Sequence, residues 1–143
     1  MKGLVCCVVL SLSLGGVAIA HQGVMDSQVK AWMHAMGEAG KASKVLGSMT
    51  RGAADYDPEA AQEARELLIT VAADIPALFE VPRHDPVSEA LPTIWQDYSD
   101  FTEKAEAMRI AAEALDVSSP EGLQQGLRNL GRSCSGCHRD YRE

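Results

Sequence analysis

The chain is 143 residues long, with 13 basic and 20 acidic side chains, a formal net charge of −7 and 46% hydrophobic residues. That is enough for one domain with one core, and the acidity argues against nucleic acid or an anionic membrane as a partner. Of the four cysteines, Cys6 and Cys7 lie at the very start and Cys134 and Cys137 near the end, which is no framework of disulfides.

The first twenty residues read as a signal peptide. Lys2 supplies a positive start, Leu4 to Leu14 an apolar core, and Ala18-Ile19-Ala20 an A-x-A cleavage site. Ser11, Ser13 and Gly15-Gly16 interrupt the apolar run, which is short for a membrane span. Cleavage before His21 leaves residues 21–143 as a single domain and removes Lys2, Cys6 and Cys7. Twelve basic residues then face 20 acidic ones, a net charge of −8. A surface so acidic either steers a basic protein partner or simply keeps the protein soluble.

Four helical segments follow. The first is predicted from about Val24 to Met49, where Met25, Val29, Trp32, Met36, Ala39, Ser43 and Leu46 recur at steps of four and three. Gly37, Gly40 and Gly47 weaken this helix, yet such small residues let a partner helix or a flat ring come close. Asp57-Pro58-Glu59 starts the second, with Asp57 as N-cap and Pro58 in the first helical position. Ala61, Ala64, Leu68, Val71, Ile75 and Leu78 form its inner face, and Pro76 is expected to kink or end it near its last turn. The stretch from Glu80 to Leu91, with Pro82 and Pro86, is the longest loop. A third helix from about Pro92 to Leu115 carries Ile94, Tyr98, Phe101, Ala105, Met108, Ala112 and Leu115 on one face. Ser118 with Glu121 resembles a capping box for the fourth, whose inner face reads Leu123, Leu127, Leu130, Cys134, Cys137 and Tyr141. Four such helices joined by mostly short loops predict an all-α chain, a left-handed antiparallel four-helix bundle.

The fourth helix ends in Cys134-Ser135-Gly136-Cys137-His138. A C-x-x-C-H run reads as a c-type haem attachment site, the two thiols forming thioethers and the histidine supplying the proximal axial ligand. On a helix the three fall at i, i+3 and i+4, on one face and within a single turn. Two other readings exist. A redox dithiol usually opens a helix in a βαβ setting, whereas this pair closes an α-only pattern. A structural zinc site needs four ligands, and the processed chain offers no further cysteine. Haem c also fits the leader, because bacteria attach haem outside the cytoplasmic membrane. The expected location is therefore the periplasm.

The sequence resembles the class II c-type cytochromes, the cytochrome c′ and cytochrome c-556 family, over essentially all of the domain. The resemblance rests on the C-terminal C-x-x-C-H followed by Asp140-Tyr141-Arg142, on Leu78-Phe79, and on Pro92-Thr93-Ile94-Trp95. It implies one covalent haem c in the bundle, with the first helix providing the sixth coordination position. Aligning Leu46-Gly47 and Arg51-Gly52 with the family pattern puts Met36 where the c-556 branch has its axial methionine. The cytochrome c′ branch has an apolar non-ligand there and a five-coordinate iron. Where many members carry an arginine four residues earlier, this chain has Trp32.

Met33 lies about 60° from Met36 around the helix and is the obvious substitute ligand. His34 lies about 200° away and reads as solvated, as do His21 and His84. Arg142 is expected either to pair with a haem propionate or to stand exposed. Trp95 and Phe79 either wall the haem or pack between helices. The leading expectation is a periplasmic electron carrier with a His138/Met36 low-spin iron, exchanging electrons with redox proteins that offer a basic docking face. It is not expected to be an enzyme, since no nucleophile–base pair or second metal site is visible. The rival is a five-coordinate protein of the cytochrome c′ type that binds nitric oxide or carbon monoxide. As in many cytochromes c′, the first helix could serve a homodimer interface.

Overall fold

A computed structural model describes residues 23–143. The expected signal peptide and the domain start at His21 lie outside the described residues. Five helices follow in order: α1 (Ser27–Thr50), α2 (Pro58–Phe79), α3 (Thr93–Gln96), α4 (Tyr98–Glu113) and α5 (Pro120–Tyr141). The four long ones form the expected antiparallel four-helix bundle. α1 packs on α2 and α5, and α4 packs on the same two, so α1 and α4 stand on one diagonal and α2 and α5 on the other.

Local chemistry sets the helix ends. Asp26 caps α1, its carboxylate accepting from the amides of Gln28 at 2.7 Å and Val29 at 3.0 Å. The helix therefore starts at Ser27, and Met25, expected on the inner face, precedes it and is 90% exposed. Asp57 caps α2 as predicted. Pro76 lies in the last turn of α2, which ends at Phe79 as expected, with no glycine cap and no basic residue in that turn. Instead, side chains from other helices occupy the free carbonyls of its last turn: Tyr98 donates to Pro76 O, Trp32 and Gln28 to Leu78 O, and Trp95 to Phe79 O.

The expected third helix is two. Asp97 leaves helical geometry at φ −135°, ψ 64° and caps α4 through a bond from the Asp100 amide at 3.2 Å. The fourth expected helix begins at Pro120, one residue later than the expected Ser118 cap implies. Ser119, not Ser118, accepts from the Gly122 amide, while Ser118 bonds to Asp116.

The two ends of the bundle pack differently. At one end Leu46, Leu68 and Leu123 are fully buried with Ala61, Ala112 and Leu115, each large side chain stabilising by about 1.5–3 kcal/mol. At the other end the core is aromatic. Trp32 stacks on Phe79 with centroids 4.5 Å apart, and Phe101 meets Phe79 and the edge of Tyr141 at 5.3 Å each.

The loop between α2 and α3 is anchored by Asp85, which is buried. Its carboxylate accepts from the amides of Met25 (2.8 Å), Asp26 (3.1 Å) and Val87 (3.1 Å), tying the loop to the start of α1. Backbone hydrogen bonds from Asp26 and Val87 stabilise the carboxylate and hold its pKa below the ordinary 3.8. A depressed native value means that the stabilisation is complete above about pH 4 and is lost as pH falls through the native value. Asp85→Asn should therefore be less stable than wild type at neutral pH. The gap should close on acidification, as thermal melts of both proteins from pH 7 to pH 2 would reveal. A gap that persists at pH 2 would show that the charge is not what holds the loop.

Candidate functional site

The aromatic end of the bundle encloses a half-open cavity of about 600 Å³. Every long helix contributes to its wall. α1 gives Met33, Met36, Gly37 and Gly40; α2 gives Ile75 and Phe79; α4 gives Phe101, Lys104 and Met108; α5 gives Cys134, Cys137 and His138. Residues Val87 to Ala90 of the anchored loop close one side. All four residues singled out in the sequence, Cys134, Cys137, His138 and Met36, thus line a single cavity.

The apolar stripe along α5 explains why its two cysteines face inward. Leu123, Leu130 and Tyr141 are buried, and Cys134 and Cys137 continue their stripe half-buried. The end of the helix is pinned from two sides. Lys104 Nζ lies 3.2 Å from Asp140 and 3.5 Å from Asp100, and Tyr141 donates to Asp100 at 2.5 Å. Opposite, the loop makes an antiparallel bridge between Ala90 and Arg142, with Leu91 donating to Tyr141 O at 3.0 Å. Arg142 is engaged by Glu89 at 2.5 Å at the cavity edge.

Burial raises both thiols above their ordinary value, Cys137 to about 11 despite the nearby Lys104. A redox dithiol depends on a lowered value, so this pair is poorly suited to thiol–disulfide exchange. His138 lines the cavity but is exposed to solvent; desolvation by its surroundings, with Arg142 adding to it, lowers the imidazole and favours the neutral form that binds iron. No group of three or more His, Cys, Asp or Glu side chains among the described residues is placed to hold a bare metal ion.

The cavity suits a flat apolar group with covalent anchors. Its volume falls within the roughly 300–1,000 Å³ typical of ligand pockets. Gly37 and Gly40 line it, and a Cβ added at either would meet no protein atom. Gly47 behaves differently, since a Cβ there would come 2.8 Å from the Arg51 guanidinium. Two thiols can anchor an attached haem through thioethers, and an imidazole can serve as an axial ligand of its iron.

The sequence profile of the family described as cytochrome C′ matches residues 27–142. The chain belongs to the cytochrome c′ family. Among class II relatives, a cytochrome c-554 from Cereibacter sphaeroides is 36% identical over 107 residues, covering 68% of this chain and 69% of its own. A cytochrome c-556 from Agrobacterium tumefaciens is 31% identical over 110 residues, covering 75% and 89%. Among solved structures, cytochrome c′ from Rhodobacter sphaeroides has a TM-score of 0.73 at 25% identity, covering 80% of this chain and 94% of its own. The cofactor of this class II cytochrome is covalently attached haem c.

Other expectations divide. His34 and His84 are exposed and off the cavity wall. Phe79 walls the cavity, whereas Trp95 packs behind it against Trp32, centroids 5.8 Å apart. Trp32 is buried in the wall and brings no charge there. Met33 also reaches the cavity but is 47% exposed, while Met36 is half-buried. Sequence reasoning missed Lys104 and the loop. The signal for Lys104 was a lysine three residues after Phe101, about 60° off the apolar stripe of α4.

Proposed function

We propose that the protein is a periplasmic electron carrier. Its haem is held by thioethers from Cys134 and Cys137, with His138 as proximal and Met36 as distal ligand of a low-spin iron. The observation that carries this reading is Met36 in the wall of the same cavity as the C-x-x-C-H residues. Haem supplies reversible one-electron exchange. The protein supplies an apolar enclosure, and a methionine sulfur that favours the reduced iron.

The residues around the site do the positioning. Lys104 and Arg142 hold the end of α5 through Asp140 and Glu89, fixing where His138 stands. The net charge of −8 gives the carrier a long-range preference for basic redox partners. No helix among the described residues is long and apolar enough to cross a membrane. The test is an absorption spectrum of the purified holoprotein, oxidised and reduced. Low-spin spectra with a methionine–iron band in the oxidised form are expected. A high-spin spectrum would replace this reading with the five-coordinate one, a binder of nitric oxide or carbon monoxide.

A further inference from the structure

The charge of this protein is not spread evenly. α2 carries Glu59, Glu63, Glu66 and Asp74 against Arg65, and α4 carries Asp100, Glu103, Glu106 and Glu113 against Lys104 and Arg109. On α1, Lys30, Lys41 and Lys44 face Glu38 alone. α5 has Glu121 in its first turn and Asp140 in its last, and between them three arginines and no acid. Because α2 packs on α4 and α1 on α5, an acidic flank backs a basic one.

The three arginines are in register. Arg128, Arg132 and Arg139 follow one another at four and seven residues and fall within about 40° around the helix. This stripe lies opposite the apolar edge of Leu123, Leu130 and Tyr141, and all three are exposed. A structural role would show as ion pairing, and little is present. Among the described residues Arg128 has no salt bridge or side-chain hydrogen bond, and Arg132 reaches only Asn129 at 3.3 Å. Arg139 has a 3.3 Å contact with Asp140, which Lys104 also engages. The helix dipole accounts for a cation in the last turn, as at Arg139, but not for Arg128 and Arg132 further back.

We propose that this outward face of α5 is a docking surface for an acidic redox protein, a second face beside the acidic flank that suits basic partners. The inference rests on the electron-carrier reading, since a carrier must meet both a donor and an acceptor. Guanidinium groups pair with carboxylates in two-pronged geometry, and arginine suits interfaces better than lysine does. The location serves electron exchange. Cys134, Cys137 and His138 stand on the same helix, so a partner seated on the stripe is about one helix diameter, 10–12 Å, from the thioether positions. An anionic membrane is the poorer fit. The residues flanking the stripe are Gln124, Gln125, Asn129, Gly131 and Ser135, with no exposed apolar side chain to insert.

The test uses the holoprotein and its Arg128→Glu/Arg132→Glu variant, with fully reduced acidic flavodoxin as probe. In each encounter one electron passes from the flavin hydroquinone to ferric haem, leaving the semiquinone. Affinity is measured by calorimetry with oxidised flavodoxin, and the bimolecular rate by stopped flow. At low ionic strength the variant should bind and react at least about tenfold more weakly, and the gap should close as salt rises. Its absorption spectrum should match wild type. Equal affinities and rates overturn the stripe as a docking surface. Tight binding to phosphatidylserine vesicles that the variant loses, with flavodoxin affinity unchanged, also overturns it and assigns the face to a membrane. A high-spin wild-type spectrum counts against the carrier reading alone, because the affinity comparison does not depend on spin state.

Discussion

Met36→Ala should convert the haem iron from low to high spin, lower the reduction potential and open the sixth position to carbon monoxide and nitric oxide. Methionine ligation raises the potential, and axial ligands command a span of roughly 0.8 V, so a fall on the order of tenths of a volt is expected. The half-buried Met36 is already confined by the cavity wall, which limits the freedom that its sulfur would lose on binding iron. Met33, 47% exposed at the rim, serves as the control. Met33→Ala should leave the spin state unchanged. The oxidised absorption spectrum, redox titration and carbon monoxide binding decide the matter. If Met36→Ala leaves the spectrum as it was and Met33→Ala changes it, the ligand is Met33.

The larger structural effect should come from Cys134→Ala/Cys137→Ala. A sealed cavity of about 600 Å³, at roughly 24 cal/mol per Å³, would destabilise the fold by about 14 kcal/mol. That equals the whole stability of a typical domain, about 5–15 kcal/mol. This cavity is partly open, so the penalty is smaller, but it remains a large fraction of what the packed end supplies. The apo variant should keep much of its helical far-ultraviolet signal while losing near-ultraviolet signal, binding the dye ANS and melting without a sharp transition. The aliphatic end, around Leu46, Leu68 and Leu123, should persist longest. A cooperative melt without dye binding would mean that the bundle holds its shape unaided.

Much of this arrangement was legible because its causes are local. Asp57 before Pro58 dictates a helix start within four residues, and Cys134, Cys137 and His138 share a face by helix geometry alone. The break at Asp97 escaped because Ile94, Tyr98 and Phe101 keep their spacing across it. Apolar periodicity does not register a single residue leaving the helix. The capping potential of Asp97 with Asp100 three residues later was the available clue. At Ser118 and Ser119 either hydroxyl could cap, and Pro120 settles the choice, since proline favours the position directly after the cap. Asp85 was not legible. Its burial depends on amides sixty residues away, at the start of α1. Met36 was intermediate, because nothing in the pattern of α1 separates a ligand from a core methionine without the family alignment.

The end of α2 has a consequence for how the molecule assembles. That helix has no glycine cap and no basic residue in its last turn, and its terminal carbonyls are bonded by donors on α1, α3 and α4. In an isolated α2 those carbonyls would turn to water and the final turn would fray, so its order is conferred by its neighbours. The last turn of α2 should therefore mature late in folding, after the indoles of Trp32 and Trp95 have arrived. Once native, its amides should exchange with solvent only in openings that separate several helices at once, which makes this turn a reporter of global unfolding.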